Sequence, residues 1–567
     1  MRSTSDDGEE ESGRSQGLII TPIGGLEEVG KNLTLFEYKN EILVVDAGLK
    51  FAGPKEPGVD YLVNDISYLI KNQHKVCGII ITHAHLDHIG GLPQLLRHVP
   101  KTVYCTPFTR AMILKSVEER APEVKLKTKE IKPDRVIQIG PFVVDPIHVN
   151  HSIIQCMALA ITTSVGTVLH SGDFRIDYKP FYEPTTDLTR IAEYGKKGVL
   201  AYLGDSTNAI NEGHSRSESE LAVAFEQILK EAQGRVIIAT FSSQIYRVMK
   251  IMELCKQLGR KIYLTGRSMI GNIEIGVGLQ VFKDLENVLI TEHEAKKLPK
   301  NKIVVITTGS QGEETAGLSL ISQDKHKVIR LDAQDTVVFS SSVIPGNEGS
   351  VNGLINRLTK KGIKIITHRD AKVHASGHGY QEELKIMLEL IKPKYFIPVH
   401  GESMHLAKHK QLAIETGVLP TNCFILENGQ RVELSKKGLR TLDKLALEPV
   451  YIENDFDNEA NEETLADRSA LMDAGMIVYS IRGNEDGIFE MEIVNKGFLN
   501  RTAREHVFQD SRKLVARIIE QNPVDVFKDR KKVEVLIKKE LKKYFQQQTG
   551  KIPVIVVFVL FHVRALR

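Results

Sequence analysis

The chain has 567 residues, of which 26% are charged and 42% hydrophobic, and a formal net charge of +3. That balance belongs to a soluble globular protein of about three to four domains and excludes a disordered or membrane-embedded chain. The small net charge gives no bulk electrostatic case for nucleic acid, although a basic groove can sit inside a balanced total.

Residues 1–17 read as a disordered tail, since Met1 to Ser15 is rich in Asp, Glu, Ser and Gly and lacks the apolar run of a secretory signal. From Leu18 to about Asp205, apolar runs bounded by turns predict strands: Gly17 to Thr21, Leu33 to Tyr38, Ile42 to Val45, Val76 to Thr82, Val136 to Ile139, Phe142 to Val149, Ala158 to Thr162 and Thr167 to Ser171. Helices are predicted near Ile89 to Arg97 and Thr109 to Arg120. Packed sheets with helices outside are the expected arrangement.

From about Glu212 to Asp370 the rhythm becomes strand, loop, helix. Arg235 to Thr240 leads into Gln244 to Leu258, Lys261 to Leu264 leads into Gly271 to Phe282, and strands recur at Ile303 to Thr307, Val337 to Ser340 and Ile363 to Thr367. This alternation predicts an α/β unit with a largely parallel sheet, whose strand ends carry small polar loops of the kind that favour ligands. A helix at Glu382 to Leu390 and a strand at Tyr395 to Val399 follow, and then an acidic, Asn-rich run at Glu453 to Glu463 reads as a linker. The last segment is again α/β. Its apolar Val554 to Val563 is about half of the roughly twenty residues a membrane helix needs, and reads as a buried strand. The Lys-rich side of Val533 to Phe545 reads as a solvated helix face. Five scattered cysteines without a Cys-x-x-Cys pair fit a reducing cytoplasm.

His83-Ala84-His85-Leu86-Asp87-His88 carries the strongest chemical signal. It follows the strand-like Gly78-Ile79-Ile80-Ile81 and precedes a helix start, so three imidazoles and a carboxylate share one strand-to-helix loop. In extended chain His83 and His85 point the same way, while Asp87 and His88 lie further round the turn and can reach a second ion. His151, Asp173 and His400 likewise follow apolar runs, and strand ends gathered on one sheet edge would bring them together. A carboxylate such as Asp173 can bridge two cations. His148 fits no such position and reads as a polar strand residue.

These residues, with Asp46 in Val45-Asp46-Ala47-Gly48, resemble the metallo-β-lactamase superfamily. The inserted α/β region, with Asp205 in Gly204-Asp205-Ser206-Thr207-Asn208 and His374-Ala375-Ser376-Gly377-His378, is similar to its β-CASP nuclease branch. Pro345-Gly346-Asn347-Glu348, Pro398-Val399-His400-Gly401-Glu402 and the extra C-terminal segment resemble the ribonuclease J family.

The resemblance implies an αββα metallo-β-lactamase sandwich at 18–211 and 371–448, an inserted β-CASP domain at 212–370, an acidic linker at 449–464 and a small α/β C-terminal domain at 465–567. It implies two Zn2+ per subunit, with Mn2+ or Mg2+ as alternatives in activity. His83, His85 and His151 would hold one ion, Asp87, His88 and His400 the other, and Asp173 would bridge. Asp46 would fix the ligand loop. Asp205 and His378 would serve proton transfer near the leaving group. Ser242, Ser243 and Gln244 with the His374, Ala375, Ser376, Gly377, His378 loop would line the phosphate and nucleotide pocket.

The implied activity is a cytoplasmic ribonuclease, digesting single-stranded RNA with a 5′ monophosphate in the 5′-to-3′ direction and cutting internally as well, in RNA maturation and decay. A homodimer or homotetramer, an RNA-decay complex and no membrane are the implied associations. The rival readings are a weakly active scaffold subunit of such a complex and a DNA-directed β-CASP nuclease. A lactonase or thioesterase would lack the insert, and a di-iron redox protein would carry a carboxylate at the position of His85.

Overall fold

A computed structural model describes residues 17–344, 346–453, 458–484, 487–500, 505–522 and 529–561. The tail expected at 1–17 lies, but for Gly17, outside the described residues, as does Pro345. The β-branched run Glu41–Val45 pairs antiparallel with Leu33–Tyr38 and parallel with Val76–Ile80, the strand that feeds the histidine-rich loop. These strands belong to an eight-stranded sheet in the order Gly438–Thr441, Val432–Ser435, Leu18–Gly24, Leu33–Tyr38, Glu41–Val45, Val76–Ile80, Val103–Cys105 and Thr128–Glu130. A six-stranded sheet runs Tyr395–Val399, Ala201–Asp205, Gly166–His170, Met157–Thr163, Phe142–His148 and Ile137–Ile139.

Side-chain alternation decides the layering. Phe36, Leu43, Val45 and Ile80 of the first sheet share one buried cluster with Val144, Leu159, Ile161, Leu203 and Ile397 of the second. The intervening residues Leu35, Ile42, Val44 and Ile79 join a second cluster with helix residues such as Leu92, Leu96 and Phe108, and so do Ala160, Tyr202 and Phe396 with Leu384 and Leu388. The result is helix, sheet, sheet, helix, with an apolar interior between the sheets.

Ala201–Asp205 and Tyr395–Val399 are parallel neighbours, with Asp205 opposite Val399. Most of the chain between them is therefore an excursion from one sheet edge, and the helix Gln381–Ile391 brings it back onto the sandwich. The excursion contains an all-parallel sheet in the order Lys261–Thr265, Ile303–Thr307, Val236–Ala239, Thr336–Phe339 and Lys364–Ile366. Parallel pairing puts the loops after Ala239, Thr307 and Phe339 at one edge, where Gln311 Nε2 donates to Ser342 O at 2.8 Å.

Helices at Leu188–Lys197, Glu218–Glu231 and Ser403–Glu415 and the strand Ala201–Asp205 are additions to the expected elements; the first two carry an apolar face, Leu188 with Ile191 and Leu221 with Phe225, Ile228 and Leu229, whereas Ser403–Glu415 does not stand out from periodicity. The expected helix start at Thr109 moves to Pro107, where proline at the first helical position costs no hydrogen bond. The helix expected at Gly271 to Phe282 is Arg267–Gly278, entered through Gly266 at φ +101°.

Residues 52–61 and 451–567 form a separate unit. Its three-stranded sheet runs Gly487–Lys496, Met476–Asn484, Val554–Phe561, so the terminal apolar run is a strand. Helices Glu505–Gln521 and Arg530–Thr549 supply Val515, Ile519, Ile537 and Leu541 to the core beneath it. The stretch expected as an acidic linker instead carries paired strands: Tyr451 faces Ala460 and Ile452 faces Glu459. The β-prone Val450-Tyr451-Ile452 outweighs the acidic character of the residues around it.

Candidate metal centre

Strand ends deliver the site. Val76–Ile80 runs into His83 and His85, and a four-residue helix, Leu86–Ile89, carries Asp87 and His88. Phe142–His148 runs into His151, Gly166–His170 into Asp173, Ala201–Asp205 ends on Asp205, and Tyr395–Val399 ends one residue before His400. Two strand ends at the site hold non-glycine residues in the left-handed region, Asp46 after Glu41–Val45 at φ 61° and His400 after Tyr395–Val399 at φ 55°. Such backbone is disfavoured for a side chain and marks turns fixed by their surroundings.

The donor atoms converge in three overlapping groups: His83, His85, His151 and Asp173; Asp87, His88, Asp173 and His400; and Asp173, Asp205, His378 and His400. Within each group the atoms lie within 4.8 Å of one another. Asp173 Oδ2 is 3.6 Å from His83 Nε2, 3.2 Å from His88 Nε2 and 3.7 Å from His151 Nε2. His85 Nδ1 is 3.2 Å from His83 Nε2 and 3.0 Å from His151 Nε2. Ligands placed about 2.1 Å from an ion in tetrahedral array stand about 3.4 Å from each other, so these spacings suit a cation. Asp173 Oδ2 and His400 Nε2 are buried and lack a hydrogen-bond partner, which such an ion would supply.

The ring tautomers are set from behind. His88 Nδ1 donates to Asp46 Oδ2 at 2.7 Å, and Asp46 also accepts from Thr82 N and Thr82 Oγ1, both at 2.8 Å. Thr82 Oγ1 in turn accepts from His83 Nδ1 at 3.0 Å, and Gly377 O accepts from His151 Nδ1 at 2.6 Å. Each of these bonds turns Nε2 toward the cluster, and for His83 and His151 it leaves that nitrogen as a lone pair.

Electrostatics divides the histidines. Burial holds His83 and His151 well below the ordinary imidazole value and brings His85 down to about 4, so all three are neutral donors. Burial also works against charge on His88 and His400, but the Asp173 carboxylate, aided by Asp46 at His88 and Asp87 at both, overcomes it; His400 rises to about 10. The second trio sits among carboxylates that call for positive charge.

Asp205 Oδ2 pairs with His378 Nδ1 at 2.7 Å, while His378 Nε2 stands 3.9 Å from Asp173 Oδ2. Burial opposes protonation of His378, and Asp205 and Asp173 raise it above the ordinary value all the same. All seven expected ligand positions, Asp205 and His378 thus meet in one place. Ser242, Ser243 and Gln244 lie at the end of Val236–Ala239 in the inserted sheet, where Ser242 O accepts from Asn272 Nδ2 at 3.0 Å. Arg247, in the helix that follows, links this strand end to the His374 to His378 loop: its Nη1 lies 3.5 Å from His374 Nδ1. His148 turns away to Pro184 O at 3.0 Å. Sequence reading missed Thr82, Arg175, Glu218 and Arg247. A charged residue at i, i+4, i+7 spacing with the apolar Ile251 and Leu254 is the available signal for the last.

Four family models match the chain: Metallo-beta-lactamase superfamily over residues 26–240, Ribonuclease J, beta-CASP domain over 233–358, Zn-dependent metallo-hydrolase RNA specificity domain over 362–426, and Ribonuclease J C-terminal domain over 463–562. The facing sheets, the inserted parallel sheet and the C-terminal sheet agree with that succession. The chain is 38% identical over 547 residues to ribonuclease J of Helicobacter pylori strain 26695, covering 95% of this chain and 78% of the relative. It is 34% identical over 557 residues to that of Thermus thermophilus, covering 97% and 96%, and 35% identical over 551 residues to that of Sinorhizobium meliloti, covering 96% and 97%. A protein of unknown function from Enterococcus faecalis V583 shares the fold, with a TM-score of 0.52 at 15% identity over 74% of this chain and 100% of its own.

Proposed function

The chain belongs to the ribonuclease J family of metallo-β-lactamase-fold hydrolases, and we propose from that premise that it hydrolyses RNA phosphodiester bonds with two Zn2+ ions, as a 5′-to-3′ exonuclease that also cuts internally. The observation that carries this reading is the sharing of Asp173 between two ligand groups beside the Asp205–His378 pair. In the proposed assignment His83, His85 and His151 hold one ion, Asp87, His88 and His400 the other, and Asp173 bridges. Imidazole nitrogens with carboxylate oxygens form a donor set suited to zinc.

When bound, a pair of divalent cations neutralises the phosphate oxygens and acidifies the attacking water. The protein's own part is orientation and proton delivery. Asp46 holds the ring of His88 and, through Thr82, that of His83. Asp205 holds the Nδ1 proton of His378, leaving Nε2 on the side of Asp173, where it can protonate a departing 3′ oxygen. The products would carry a 5′ phosphate. Ser242, Ser243 and Gln244 and the loop from His374 to His378 would bind the phosphate and nucleotide of single-stranded RNA; a pocket for the 5′ monophosphate would favour digestion from that end. A cytoplasmic homodimer or homotetramer within an RNA-decay assembly is the accompanying proposal.

Purified protein given 5′-monophosphorylated, 5′-triphosphorylated and circular RNAs tests it. Mononucleotides from the first alone indicate an exonuclease, and cleaved circles indicate internal cutting. An inert protein with metal bound would favour the scaffold reading.

A further inference from the structure

The segment between the strand Lys364–Ile366 and the helix Gln381–Ile391 lacks regular structure, and side chains from different elements take its successive carbonyl groups. Ala375 O accepts from Arg247 Nη2 at 3.1 Å, Ser376 O from Arg175 Nη1 at 3.2 Å, Gly377 O from His151 Nδ1 at 2.6 Å and His378 O from Asn208 Nδ2 at 3.1 Å. The loop is thus held by side chains rather than by a helix or ladder.

Arg247 lies in the helix Ile245–Gln257, which begins directly after Ser242, Ser243 and Gln244, and is 2% exposed. Its Nε and Nη2 donate to Glu218 at 3.2 and 2.5 Å, and its Nη1 to Ser340 O at 3.0 Å. Ser340 closes the strand Thr336–Phe339. One planar guanidinium therefore ties the inserted sheet, the helix Glu218–Glu231 and the loop together. Arg175, equally buried, stands 3.2 Å from Asp177 and 3.8 Å from Glu218. A buried ion pair adds little net stability over apolar packing, whereas a rigid fork of donors fixes geometry.

We propose that Arg247, held by Glu218, is a positioning residue for His378: through the Ala375 carbonyl it sets the loop height at which His378 meets Asp205 and faces the scissile phosphate. This inference rests on the ribonuclease reading above. It also makes the strand end at Ser340 and the imidazole at His378 parts of one connected frame.

Arg247→Lys keeps a cation beside Glu218 but cannot reach Glu218, Ser340 and Ala375 with one ammonium. On a 5′-monophosphorylated single-stranded RNA oligonucleotide, kcat should fall about 30- to 100-fold with KM within about threefold, the signature of a small displacement at the reacting centre. Bound metal should match the wild type. Guanidinium ion added to Arg247→Ala should restore about tenfold of the lost kcat. Should either single variant misfold, Arg247→Met combined with Glu218→Gln leaves no unpaired charge and carries the same expectation as the lysine variant. In the metal-free chain, the imidazole NMR signal of the Nδ1 proton that His378 shares with Asp205 should shift in Arg247→Lys. Wild-type kcat in the variants, or loss of metal in step with kcat, would overturn the proposal. A wild-type protein inert toward RNA would sink the ribonuclease reading instead, and the NMR comparison would still decide the positioning role.

Discussion

Asp205 Oδ2 and His378 Nδ1 lie 2.7 Å apart although 173 residues separate them in sequence. The two sit on opposite sides of the inserted domain, one at the end of the strand that leaves the sandwich and one shortly before the strand that returns to it. Their contact closes the excursion, and so the fold of the insert determines whether this carboxylate–imidazole pair forms at all.

Removing a donor from the cluster should separate metal binding from proton transfer. His85→Ala deletes a neutral imidazole whose Nδ1 meets both His83 and His151, and should lower bound metal and abolish cleavage. His378→Ala should keep its metal and lose about 10²- to 10⁴-fold in kcat, the usual range for a general acid. Metal analysis by mass spectrometry with turnover assays on the same samples decides; full activity in His85→Ala would sink the ligand assignment.

Asp46 takes three donors, Thr82 N, Thr82 Oγ1 and His88 Nδ1, without belonging to the ligand set. Asp46→Asn should weaken metal affinity or activity about 10- to 100-fold, as loss of an outer hydrogen-bond partner does elsewhere. Competition with a chromophoric chelator measures it, and unchanged affinity together with unchanged activity would refute the role.

Gly377 leaves no room for a side chain, since an added Cβ would stand 2.6 Å from His151 Cε1 and 2.7 Å from Ser152 Oγ. Gly377→Ala should push the His151 ring off its position, with a loss of bound metal and of activity while the melting temperature of the metal-free chain changes little. Retention of full metal content would show that the loop gives way instead.

Glu183 provides a pH-dependent stability term away from the cluster. Burial lifts its carboxyl to about 8, against the attraction of Arg175, and its Oε2 has no hydrogen-bond partner. The unfolded chain ionises this group near its ordinary value while the folded chain resists. Its contribution is therefore undiminished at low pH and is lost as pH rises toward about 8, with a slope of at most about 1.4 kcal/mol per pH unit. Glu183→Gln should remove that slope. Urea unfolding at several pH values compares the two proteins, and parallel curves would show that the carboxyl ionises freely in the fold.

Much of the centre was legible because metal ligands at strand ends leave a local trace: an apolar run followed by His or Asp, as at Ile81 before His83 or Val399 before His400. The alternation that predicts Leu33 to Tyr38 also predicts which of its side chains enter the sandwich. What stayed hidden is non-local. Nothing around Arg247 announces a carbonyl 128 residues away, and the bond between His151 and Gly377 spans 226. Helices such as Ser403–Glu415 carry polar faces mixed with buried His405 and His409, which blurs the apolar period. The acidic run after Val450 reads as a linker only when charge is weighed above the β-branched and aromatic residues beside it.

The place of the insert along the chain also orders events during synthesis. Asp46, His83, His85, Asp87, His88, His151 and Asp173 leave the ribosome first and can fold with their strands, but His378 and His400 follow only after the whole excursion. A nascent chain thus holds one trio of donors early and the second only once nearly 400 residues have been made. Until then the second donor group and the Asp205–His378 contact are both incomplete, so the cluster closes only after the inserted sheet has been made.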